Sequence, residues 1–173
     1  QNLSMRVTRI NQGAIVTWIM NYVPAFEAYA KGETIKDAII GALVPRIFMP
    51  DKVRAGGVEN YERFTGRYLR GTSINISLIG EGYANFGPTG GVIFMYLVGL
   101  FYSLAYYWLN SYATKHPIYI FFIPFFFIYV IKAEDDLATP LNHIFKAFLV
   151  FIFLQQVYLK KFFAKHKLSP KGN

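Results

Sequence analysis

Glu81, Tyr83 and Asn85 stand at alternate positions inside the run GEGYANFGPTGG, directly before an uncharged stretch that begins at Gly90. A carboxylate, a phenol and a carboxamide at the mouth of an apolar helix can take a proton and hold hydroxyl groups. A second chemical class lies mostly upstream. All seven arginines (Arg6, Arg9, Arg46, Arg54, Arg63, Arg67 and Arg70) precede Gly90, and every cation after it is a lysine. Guanidinium is planar, permanently charged and bidentate toward phosphate or carboxylate, so the segregation points to an anionic ligand. Arg63, Arg67 and Arg70 are four and three apart, a spacing that aligns them if the segment is helical, and such a row suits a diphosphate. The same region holds seven acids against ten cations, so pairing of these arginines with acids on a solvated surface is the alternative.

Other reactive groups are few. With no cysteine, thiol nucleophiles, disulfides and Cys-based metal sites are excluded. Asp135 and Asp136 are either catalytic carboxylates or a hydrated turn, and adjacent acids in a short loop lack the spacing of a dedicated metal site. Neither a metal nor a cofactor is expected. His143 and Lys146 either sit at an interface near a helix end or help to line a cavity.

The elements that must position these groups are helical. The chain is 54% hydrophobic and 18% aromatic with only 16% charged residues, too apolar for an ordinary soluble domain. The reading is an all-α, polytopic membrane protein. Residues 1–89 form an external region with interfacial helices, and 90–163 carry spans at about 90–111, 117–133 (kinked at Pro124) and 141–161. A basic tail, 164–173, follows; its lysines, with Lys160 and Lys161, place the C-terminus in the cytoplasm and the acidic AEDDLATPLN connector outside. The opening Gln1 with no leader pattern is read as a piece of a longer chain with earlier spans. Residues 14–30 read as an interfacial helix. In GETIKDAIIGALVPRIFMP, Thr34 is expected as an N-cap with Asp37 three residues on, and residues 55–71 as a flexible polar loop. The basic isoelectric point of about 9.6 follows from topology, and the aromatics sit in the spans, so nucleic acid is not an expected partner.

The order TRINQG, YVPAFEAYAKGET, VPRIFMPDK and GTSINISLIGEGYANFGPTGGVIFMYLVGL, from about Arg9 to Leu100, resembles the C-terminal half of the Wzy-type O-antigen polymerases, the oligosaccharide repeat-unit polymerases. That resemblance implies a metal-independent glycosyltransferase of lipopolysaccharide and polysaccharide biosynthesis. It would act at the outer face of a bacterial inner membrane on undecaprenyl-type, polyprenyl-diphosphate-linked glycans, amid membrane lipids and beside a chain-length regulator. It puts Glu81 and Arg46 in catalytic roles and Arg9, Lys52, Arg54, Arg63, Arg67, Arg70, Tyr83 and Asn85 in substrate binding. Two alternatives stay open. One is a ligase-like glycan transferase, a related class that uses an external histidine; here His116 and His166 fall on the cytoplasmic side and His143 near the external end of the last span. The other is a non-catalytic membrane subunit binding anionic lipid, with Gly90, Gly91 and Gly99 serving only close helix packing.

Overall fold

The structure, a computed structural model, describes residues 11–44, 57–68, 74–115, 117–132 and 134–156. These residues form six α-helices and no strand: α1 Gln12–Tyr22, α2 Glu33–Leu43, α3 Val58–Thr65, α4 Ser77–Lys115, α5 Phe122–Phe127 and α6 Ala138–Leu154. A 3-10 turn, Pro117–Phe121, leads into α5.

Helix α4 governs the layout. It is the one described helix long and apolar enough to cross a membrane. Its 39 residues are not straight. Gly87 takes φ 71° and ψ −168°, and Pro88 follows. Positive φ is a region that glycine enters without the Cβ penalty other residues meet. The break folds the first arm of α4 back against the second. Residues nine apart would lie about 13 Å apart along a straight helix. Yet a methyl group built on Gly91 would stand 3.2 Å from the Gly82 carbonyl carbon and 3.2 Å from the Tyr83 nitrogen. Gly82 and Gly91 therefore serve close backbone approach between the two arms, whereas Gly99 has nothing near it.

The break also frees carbonyls. Ala84 O would bond the N–H of residue 88, but proline has none. Ala30 N–H donates to Ala84 O instead (3.0 Å), and Lys31 N–H donates to Asn85 O (3.0 Å). The loop before α2 is thus hydrogen-bonded to the end of the first arm. Gly32 then starts α2 in the left-handed region at φ 92°.

Three apolar clusters hold the fold. Ile15, Ile19 and Val23 of α1 and its end pack with Tyr61 and Phe64 of α3 and Ala84 of α4. The 57–68 segment expected as a flexible loop is therefore a helix in its middle, framed by Gly57 and Gly66 and fixed by its buried Tyr61, Phe64 and Thr65. Ala38, Phe94 and Leu137 join α2, α4 and the start of α6, while Leu109, Ala113, Phe126 and Phe151 join the far ends. Where a kinked span over 117–133 is expected, the chain forms a five-residue 3-10 turn and the six-residue α5.

Candidate functional site

Glu81 sits on the first arm of α4, one turn and a half before the break, and is 1% exposed. Both of its oxygens are engaged. Thr34 Oγ1 donates to Oε1 (2.8 Å) and Leu137 N–H donates to Oε2 (2.7 Å). Three segments far apart in sequence meet on this one carboxylate: α2, α4 and the connector before α6. Among the described residues Glu81 stands in no ion pair, so these hydrogen bonds are what compensates its removal from water.

Thr34 is not the N-cap of α2. Gly32 occupies that position with no side-chain bond, and the Thr34 hydroxyl is turned inward to Glu81. A Thr three residues before an acid fits a capping box by local spacing, but the partner of this hydroxyl lies 47 residues away. Asn85, one turn after Glu81, completes the network. It accepts from Gly32 N–H (2.9 Å) and donates to Thr34 Oγ1 (2.8 Å) and Glu81 O (2.8 Å).

Asp135 and Asp136 do not form a hydrated turn, since both are buried. Asp136 Oδ1 accepts from Thr139 N–H (3.2 Å) and Thr139 Oγ1 (2.9 Å), which caps the first turn of α6. Burial pushes its carboxyl above the usual aspartate range against those two Thr139 bonds. Asp135 is also pushed up by burial, opposed by Lys132, and accepts from Asn75 Nδ2 (3.3 Å). Asp136 is near enough to Glu81 for their charges to repel.

A cavity of about 210 Å³ opens onto this group. Thr34, Asp37, Ala38 and Gly41 of α2, Glu59, Asn60 and Arg63 of α3, and Ala138 and Asn142 of α6 wall it, with Glu33, Glu81 and Asp136. Five of these residues are acids and one is an arginine. A neighbouring face of each of α2 and α6 is apolar. Ile35, Ile39 and Ala42 of α2 and Leu141, Ile144 and Phe148 of α6 line a groove of about 680 Å³ together with Phe94, Leu97 and Phe101 of α4. One pair of helices thus carries a polar cavity and an apolar groove.

The expected arginine row does not form over its described part. Arg63, half-exposed on α3, donates from Nε to Glu27 (2.7 Å) and from Nη1 and Nη2 to Glu33 (3.1 Å each), with Glu27 pushing its pKa further up. Arg67 lies beyond the Gly66 helix end and stacks over the Trp18 ring at 4.0 Å. The helix ends between them, so four-residue spacing no longer puts them on one face. Arg9, Arg46, Lys52, Arg54 and Arg70 lie outside the described residues. Tyr83 is turned toward α1, its hydroxyl donating to Val23 O (3.3 Å), and is not among the cavity residues. His143 Nε2 lies 2.6 Å from Phe125 O, between the Phe125 and Tyr129 rings, and Lys146 is exposed; neither reaches the cavity. The acids converge on no metal-holding group among the described residues. In comparison with known proteins, no family, no curated protein and no solved structure matches this chain.

Proposed function

We propose that this chain is the acceptor-side part of a membrane glycosyltransferase that joins polyprenyl-diphosphate-linked oligosaccharide repeat units at the outer face of a bacterial inner membrane. The observation that carries the reading is Glu81 at the floor of an acid-walled cavity whose walls, α2 and α6, bear an apolar groove on a neighbouring face. A lipid-linked sugar is amphipathic in the same sense. The cavity lies below the roughly 300 Å³ at which drug-sized pockets begin, which suits one sugar ring, and carboxylates with Asn60 and Asn142 bond sugar hydroxyls. An isoprenoid chain fits the groove.

In the reaction the acceptor hydroxyl oxygen forms a bond to the anomeric carbon of the donor glycan. The bond from that carbon to the diphosphate oxygen breaks, polyprenyl diphosphate leaves with the electron pair, and Glu81 takes the hydroxyl proton. The cavity is too rich in carboxylates to receive the diphosphate as well. That anion falls to Arg46 and its neighbouring cations, which stabilise the leaving charge. His143, turned to a backbone carbonyl, supports this reading over a ligase-like transfer.

The test is elongation of a lipid-linked repeat unit by the protein in membranes. Glu81→Gln is expected to leave single repeat units unextended, with a rate loss of about 10²- to 10⁴-fold, the contribution typical of a general base. Elongation by that variant at the wild-type rate would remove Glu81 from the chemistry. A fully elongated product from Arg46→Ala would remove Arg46 from the leaving-group role.

A further inference from the structure

We infer that Asn85 and Thr34 are positioning residues that fix the hydrogen-bond polarity around Glu81 and so keep its free lone pairs on the cavity. The argument starts from a group with no choice. Gly32 N–H can only donate, and it donates to Asn85 at 2.9 Å, which identifies the accepting atom as the amide oxygen. The other amide atom is then the nitrogen, and it donates to Thr34 Oγ1 at 2.8 Å and to Glu81 O at 2.8 Å. With its oxygen already receiving a hydrogen bond from Asn85, Thr34 directs its own hydrogen to Glu81 Oε1 at 2.8 Å. Leu137 N–H, which also can only donate, occupies Oε2 at 2.7 Å. Asn85 takes one of the two lone pairs of the Thr34 hydroxyl, which leaves the Thr34 hydrogen for the ionised Glu81 carboxylate. The backbone at Gly32, through two side chains, thereby sets Oε1 as an acceptor, and the backbone at Leu137 does the same for Oε2 directly.

A carboxylate offers about four lone-pair directions, so one remains on each oxygen for a proton from a bound hydroxyl. Neither Asn85 nor Thr34 takes part in the bond changes. Gly32 starts α2 in the left-handed region, and the break at Gly87 gives Lys31 N–H the Asn85 carbonyl. The two backbone irregularities hold the start and the middle of the network in place.

This inference rests on the proposed role of Glu81, and its test separates the two. The full chain, reconstituted in lipid vesicles, is assayed for elongation of a lipid-linked repeat unit as wild type, Thr34→Val, Thr34→Ser and Asn85→Asp. Valine keeps the shape of threonine and loses the donor. Asparagine to aspartate keeps the acceptor for Gly32 and loses the donor to Thr34, whose hydroxyl then turns away from Glu81. Thr34→Val and Asn85→Asp are expected to lower kcat about 10- to 100-fold, the scale of a hydrogen bond to a charged group, with little change in KM. Thr34→Ser recovers most of the rate. In parallel, the infrared carboxylate band that disappears in Glu81→Gln is followed in each variant. It is expected to shift in Thr34→Val and Asn85→Asp and to stay in place in Thr34→Ser. If wild type elongates nothing while the bands behave as stated, the proposed function fails and the network stands. Bands and rates in Thr34→Val that coincide with wild type overturn the inference.

Discussion

The close approach of the two arms of α4 makes a quantitative prediction with an internal control. Gly91→Ala adds a methyl group 3.2 Å from the Gly82 carbonyl carbon and the Tyr83 nitrogen and 3.3 Å from the Gly82 oxygen. These are backbone atoms and have no rotamer by which to retreat, so the arms must separate by a few tenths of an ångström. Overpacking of this kind costs about 1–3 kcal/mol. Gly99→Ala, on the same helix, meets nothing within 4 Å. Both substitutions carry the same gain from replacing a helical glycine, about 0.5–1 kcal/mol, and that gain cancels in the comparison. The difference between the variants is therefore the steric cost alone. For a chain of this length roughly 2–4 °C in Tm corresponds to 1 kcal/mol, so Gly91→Ala should melt about 2–12 °C below Gly99→Ala in the same detergent. The elongation assay adds a second reading, because parting the arms moves Glu81 relative to Thr34 and Leu137. Equal Tm values for the two variants would refute the folded-back geometry of α4.

Arg63→Met should lower stability by no more than about 1 kcal/mol, because its bonds to Glu27 and Glu33 lie at a solvated surface, and that loss should vanish in high salt during thermal melts. Phe64→Ala, in contrast, empties a fully buried site between α1 and α3 and should cost about 3–5 kcal/mol by the same measurement. Burial raises the folded-state pKa of Asp136 above its unfolded value, so the folded state holds the proton more tightly and stability falls as pH rises through that window. Asp136→Asn keeps an acceptor for Thr139 and should flatten this part of the stability–pH curve; an unchanged slope in pH-dependent melts would count against the burial argument.

Backbone requirements carried by single residues were readable from the sequence. The apolar run after Gly90 forms the long arm of α4, and the glycines around it mark a break and a close approach, because glycine signals a backbone requirement that travels with its own residue. Glu81 could be singled out because a carboxylate beside an apolar helix demands compensation, but what compensates it could not. Thr34 and the Leu137 N–H lie 47 and 56 residues away, and a backbone donor has no side-chain signature at all. Arg63 and Arg67 show the opposite failure. Their spacing assumed one continuous helix, and Gly66 in the left-handed region ends α3 between them, a turn for which the sequence offered the cue. For Asp136 the sequence suggests a catalytic group or a solvated turn, and the residue is instead a buried cap on the first turn of α6.

The network around Glu81 has a consequence for biosynthesis. Its last donor, Leu137 N–H, is supplied 56 residues after the carboxylate it serves. While a nascent chain has emerged only as far as the first arm of α4, Glu81 can already meet Thr34, but its second oxygen has no protein donor. Closure waits for the connector before α6 to leave the ribosome. Arrested chains ending before residue 137 should therefore keep Glu81 open to water and to carboxyl-reactive labels, and chains extended past α6 should lose that labelling.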